Sequence, residues 1–145
     1  MPIATRRPGI PVVCLLIASA VLMACCVGSA PADDAPGRII ETIPPADART
    51  LIEEGRDNQD PVIIDVRRPD EYAGGHIEGA VNIESSRFQE EIGSLDPGRA
   101  VIIYCQSGGR SAHVREVMRD AGFREVYEIE GGIAAWRAQG YPVVR

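Results

Sequence analysis

The chemistry-bearing stretch of this 145-residue chain is Tyr104-Cys105-Gln106-Ser107-Gly108-Gly109-Arg110-Ser111. It brings a thiol, two adjacent glycines and a guanidinium together in one short segment. Adjacent glycines allow a tight turn that aims successive backbone N–H groups inward. A helix beginning near Arg110 or Ser111 would direct its positive end at the same point, and Arg110 adds a full charge. The product is a cradle for an anion with a thiol at its rim. The same field favours thiolate over thiol, so Cys105 is expected to be a nucleophile at neutral pH. Gln106, Ser107, Gly108, Gly109, Arg110 and Ser111 are the expected substrate-binding set. The competing reading is a strand-end cysteine before an ordinary glycine turn.

The elements around this loop follow from apolar patterning. Val101 to Tyr104 is a continuous apolar run leading straight into Cys105. Val62 to Val66 is a second β-branched run, the mark of a strand covered on both faces. Arg38 to Ile43, Ala80 to Ile83 and Val126 to Ile129 are further strand candidates. Helices are expected from Pro45 to Gly55, from Pro69 through Tyr72, from Ser86 to Ile92, and from Gly131 to Ala138. After the cysteine loop, Val114, Val117, Met118 and Ala121 fall on one helical face, and Gly122 ends the helix. Asp96-Pro97-Gly98 marks a turn. Such alternation predicts an α/β fold with a parallel sheet between two helical layers. Ligands in these folds lie beyond the carboxyl ends of the strands, where Cys105 is placed.

Composition narrows the function. The chain is 45% hydrophobic and 25% charged, which excludes disorder and fibrous classes. A net charge of -6 argues against nucleic acid as a partner. All 15 basic residues are Arg, so no lysine is present for Schiff-base chemistry. Arg6 and Arg7 precede an apolar stretch from Val12 to Ala24, the pattern of a secretory signal. Two exits are readable: Leu22-Met23-Ala24-Cys25 resembles a lipobox that would lipidate Cys25, and Ala30-Pro31-Ala32 is a small-x-small cleavage site. An uncleaved N-terminal anchor is the third reading. The expected organisation is a signal over 1–24 (or to 32), a tether over 25–37, and one domain over 38–145. Every version places the domain in the cell envelope, on the periplasmic side, lipid-anchored to a membrane or soluble. Removing residues 1–32, which hold two Arg and no acid, takes the net charge from -6 to -8 and leaves Cys105 as the one thiol. An internal disulfide is then impossible.

Three motifs resemble the rhodanese-type sulfurtransferases. The cysteine loop has four residues between Cys105 and Arg110. Asp65 to Tyr72, continuing through Gly75 to Ile83, is similar to the family's N-terminal signature. Glu130-Gly131-Gly132 with Ala135-Trp136, then Gly140 to Val143, is similar to its C-terminal one. The resemblance spans residues 38 to 145. It implies a rhodanese-like three-layer fold whose parallel sheet has about five strands. It also implies transfer of sulfane sulfur from thiosulfate or a similar anion, through a Cys105 persulfide, to cyanide, a thiol or a protein acceptor. No metal or organic cofactor is implied, and a monomer is expected.

The same resemblance gives His76 a packing and hydrogen-bonding role. Asp65, Arg67 and Glu71 are either substrate ligands or an internal ion-pair network that fixes the loops; structural support is the reading adopted. His113 is expected at the surface, near the pocket rim, and Trp136 is expected to anchor the core. Other classes stay open. A sulfur carrier or rhodanese-like binding module with weak turnover is one. A thiol phosphatase or arsenate reductase is another. Phosphatases of this fold carry five residues between Cys and Arg, one more than here, and a reductase needs a resolving cysteine.

Overall fold

The computed structural model describes residues 37–55 and 60–145. The expected signal, the tether up to residue 36 and the Cys25 lipidation site lie outside the described residues. The chain forms β1 (Ile39–Ile43), α1 (Pro45–Glu54), β2 (Val62–Asp65), α2 (Pro69–Ala73), β3 (Val81–Asn82) and α3 (Phe88–Glu91). A 3-10 turn over Ile92–Ser94 follows, then β4 (Val101–Tyr104), α4 (Gly109–Asp120), β5 (Glu125–Ile129) and α5 (Gly132–Ala138). The five strands pair in parallel in the order β1-β5-β4-β2-β3. This is the expected α/β fold with helices on both faces.

Strand period two sorts the core. Ile63, Ile102, Tyr104, Tyr127 and Ile129 face one layer, with Ile133 and Trp136 of α5. Ile64, Ile103, Cys105 and Val126 face the other, with Val114 and Met118 of α4. Cys105 therefore emerges on the α4 side of the sheet because Ile103 does. Val62, Ile63, Ile64 and Asp65 pair with Val101 to Tyr104 in register, so the ends of β2 and β4 are level. That brings the residues after Asp65 beside the residues after Tyr104.

Several expected elements differ in extent. The strand expected at Ala80–Ile83 shrinks to Val81–Asn82, because the Tyr72 hydroxyl takes the Ala80 carbonyl (2.6 Å) and Ala80 N–H closes a turn on Ile77 (3.0 Å). The helix expected at Ser86–Ile92 starts at Phe88 and tightens into the 3-10 turn at Ile92. The buried stripe of α4 also shifts. Ala121 lies past the helix end and is exposed, while Ser111, Val114 and Met118 are the buried residues. A polar side chain thus holds the first position of that stripe, directly beneath Cys105.

Candidate active site

Strand β4 delivers Cys105, and α4 closes the loop at Gly109. Gly108 joins them at φ +107°, a conformation that favours glycine, and its N–H donates to Cys105 Sγ at 3.1 Å. A second constraint comes from α5. Its first amides bind the loop's carbonyls: Ile133 N–H donates to Cys105 O at 2.9 Å and Ala134 N–H to Gln106 O at 3.1 Å. That approach needs Gly132, where φ is +59° and a Cβ would lie 2.4 Å from Cys105 O. The Gly131-Gly132 pair of the sequence thus fixes the floor of the loop.

Cys105 is 1% exposed. Burial pushes its thiol up, but the Ser111 hydroxyl and the backbone amides of Ser111, Ser107 and Gly108 pull it down. The pull wins, and the thiol lies below its ordinary value. The α4 N-terminus adds its partial positive charge on the same side. The backbone N–H groups of Ser107, Gly108 and Ser111 and the Ser111 hydroxyl thus surround the sulfur.

Arg110, expected to add its charge to the cradle, is held by Glu71. Its two Nη atoms donate to both Glu71 oxygens, at 2.7 and 2.8 Å. Glu71 is held down to about 2, first by these bonds, against its partial burial. Arg110 is raised in turn. Glu71 also accepts from Arg68 N–H at 3.2 Å, at the start of α2. The pair stands at the mouth of the loop, with 35% of the Arg110 side chain and 21% of the Glu71 side chain exposed.

Asp65 and Arg67 form a second pair, beneath the first. Arg67 Nη2 donates to Asp65 Oδ2 at 2.6 Å and Nε to Oδ1 at 3.0 Å. Arg67 Nη2 also reaches Gly75 O at 2.8 Å, so the pair ties the end of β2 to the loop after α2. Asn82 Nδ2 donates to the carbonyls of Asp65 and Arg67, at 2.9 and 2.8 Å. The Tyr104 hydroxyl lies beside Asp65 and accepts from Ile77 N–H at 3.1 Å; burial first, then the Asp65 charge, raises it. None of these groups reaches the sulfur. His76 stacks on Tyr72 with ring centroids 3.8 Å apart, and its Nδ1 lies 3.1 Å from Tyr72 O. His113 is exposed and lines an open hollow of about 470 Å³ with Ser85, Ser86, Gln89, Gly109 and Arg110. Trp136 is buried and donates from Nε1 to Pro142 O at 2.9 Å.

The sequence reading missed Glu128. This buried carboxylate of β5 accepts from Ser111 Oγ at 2.8 Å, Arg115 Nη1 at 2.9 Å and Thr42 Oγ1 at 3.1 Å. The signal was available: Val126 and Glu128 share a strand face, and Val126 is core. An acid at such a position needs a partner inside.

A rhodanese-like domain model matches residues 45–139. The chain is 34% identical over 100 residues to a Pseudomonas fluorescens protein named thiosulfate sulfurtransferase GlpE, covering 69% of this chain and 86% of that one. It is also 34% identical over 84 residues to an uncharacterized Synechocystis protein, covering 58% of this chain and 47% of that one. The chain thus spans about half the length of that longer relative. Among solved structures, a rhodanese-related protein from Thermoplasma volcanium superposes with a TM-score of 0.64 at 32% identity, over 72% of this chain and 97% of that one. The chain belongs to the rhodanese-like family.

Proposed function

We propose that the protein moves sulfane sulfur from thiosulfate, or a similar anionic donor, to cyanide or a thiol acceptor through a persulfide on Cys105. In the first step the Cys105 thiolate attacks the outer sulfur of thiosulfate. A Sγ–S bond forms, the donor's S–S bond breaks, and sulfite leaves with the electron pair. In the second step the acceptor attacks the terminal sulfur of Cys105–S–S⁻, and the electron pair returns to Sγ. This is thiol–disulfide exchange with sulfite and Cys105 as successive leaving groups.

The observation that carries the reading is the ring of inward N–H groups about a thiol held below its ordinary value. Preorganised donors of this kind stabilise a negative sulfur as an oxyanion hole stabilises oxygen. The four-residue interval between Cys105 and Arg110 makes a loop one residue shorter than that of phosphatases of this fold. The hollow beside Gly109 and Arg110 has room for an acceptor and no Asp or Glu in its lining, which suits an anionic thiol.

Intact mass decides it. Incubation with thiosulfate is expected to add one sulfur atom to the protein and none to Cys105→Ser, and cyanide is expected to remove it. Absence of the adduct with the thiol confirmed free would sink the reading. Export and lipidation at Cys25 belong to the same proposal, carried by the sequence pattern alone. Cys25→Ser is expected to release the protein from membranes; continued attachment would favour an uncleaved anchor.

A further inference from the structure

Ser111 has one hydroxyl proton and three acceptors around it. Glu128 Oε1 is at 2.8 Å, Gly108 O at 3.0 Å and Cys105 Sγ at 3.5 Å. A hydroxyl donates one hydrogen bond at a time. A carboxylate is the strongest of these acceptors until the sulfur itself ionises. Glu128 is 3% exposed, and Arg115 donates to its other oxygen, Oε2, at 2.9 Å. Every hydrogen bond that Ser111 gives to Glu128 is withheld from Sγ.

We propose that Glu128 is a positioning residue that competes with the Cys105 thiolate for the Ser111 proton, and thereby sets how basic that thiolate is. While Glu128 holds the Ser111 proton, the sulfur is left with the loop amides. A more basic thiolate is the better nucleophile toward a donor and the poorer leaving group toward an acceptor. Resting on the sulfurtransferase reading, the competition therefore balances the two half-reactions. Loading gains from it, and unloading loses.

Other charges about the sulfur are accounted for. Arg110 of α4 lies at the mouth, bound to Glu71 of α2, and its positive charge also acts on Cys105. The Asp65–Arg67 pair of β2 is engaged with Tyr104, which faces the opposite layer. His113 of α4 is exposed. Toward this face α3 turns Phe88, and α5 contributes backbone amides. Glu128 reaches Sγ through one bridging hydroxyl, that of Ser111.

The test is the pH dependence of Cys105 alkylation by iodoacetamide on the full chain, with the modified peptide identified by mass. Glu128→Gln is expected to lower the midpoint by about one pH unit, through both the freed proton and the lost negative charge. Glu128→Asp retains the charge but withdraws the carboxylate from Ser111, and a smaller lowering is expected. Ser111→Ala is expected to raise the midpoint more in the Glu128→Gln background than alone. An unchanged midpoint in Glu128→Gln overturns the proposal. Should that variant fail to fold, as judged by circular dichroism, an unchanged midpoint in Glu128→Asp overturns it equally. Equal effects of Ser111→Ala in both backgrounds would remove Ser111 as the link and overturn it too. Alkylation needs no sulfur donor. A shifted midpoint without persulfide formation would therefore defeat the sulfurtransferase reading and leave this inference standing.

Discussion

Two arginine–carboxylate pairs brace the same stretch of chain, and they differ in their access to water. Arg67–Asp65 has 2% and 0% of its side chains exposed; Arg110–Glu71 has 35% and 21%. The inner pair cannot open without leaving a bare charge in the core. Arg67 Nη2 also donates to Gly75 O, and Asp65 Oδ1 also accepts from the Arg67 backbone N–H. The outer pair has solvent at hand, so separating it costs little. Similar chemistry thus gives a buried frame in one place and a partly solvated pair at the mouth in the other.

The frame is where the largest effect is expected. Asp65→Ala strands the Arg67 guanidinium beside Tyr104 and Gly75. Breaking a buried pair by removing one partner costs about 3–5 kcal/mol. Urea unfolding should show that loss, and a change under about 1 kcal/mol would make the inner pair no different from the outer one. Gly132→Ala tests the other side of the frame. Its Cβ would meet Cys105 O at 2.4 Å at a φ of +59°. Strain of about 1–3 kcal/mol is expected, together with slower Cys105 alkylation as the loop is displaced. Wild-type stability and reactivity in this variant would mean that α5 does not hold the loop.

These contrasts also mark what was legible in the sequence. The runs Val62–Ile64 and Val101–Tyr104 are continuous and apolar, so strands buried on both faces and a parallel sheet followed directly. Cys105 and its glycines were legible because strand end, thiol and turn are contiguous. Strand β3 was overextended because Ala80 looks like a strand residue until the Tyr72 hydroxyl claims its carbonyl. The Arg110–Glu71 pair joins residues 39 positions apart, and no local pattern encodes it. Residues of both pairs were singled out, but their division into frame and mouth depends on depth in the fold. Glu128 was missed for a related reason: Thr42, Ser111 and Arg115 converge on it from β1 and α4.

At the mouth, effects should appear in binding more than in stability. On the proposed reaction, Arg110→Ala is expected to raise the KM for thiosulfate about tenfold, worth about 1.4 kcal/mol. Glu71→Gln should act in the opposite direction, since it leaves Arg110 charged and weakens the clamp on it. A thiosulfate KM unchanged in both variants would remove Arg110 from donor binding and make the outer pair a second frame.

The smallest expected effect is the pH dependence of the outer pair's stability. Folding holds Glu71 at about 2, below its ordinary value of 4.5. A depressed carboxylate contributes stability fully above its unfolded value and loses it as pH falls toward the folded one. The contribution should therefore be constant above about pH 5 and decline between about 4.5 and 2. Because the pair is partly solvated, it should amount to about 1 kcal/mol or less. Glu71→Gln imitates the protonated acid without titrating. The stability gap between wild type and this variant should therefore close as pH approaches 2, in urea titrations at stepped pH. A gap that persists there would assign the stabilisation to something other than charge, and the outer pair would lose the solvent-tuned character that separates it from Arg67–Asp65.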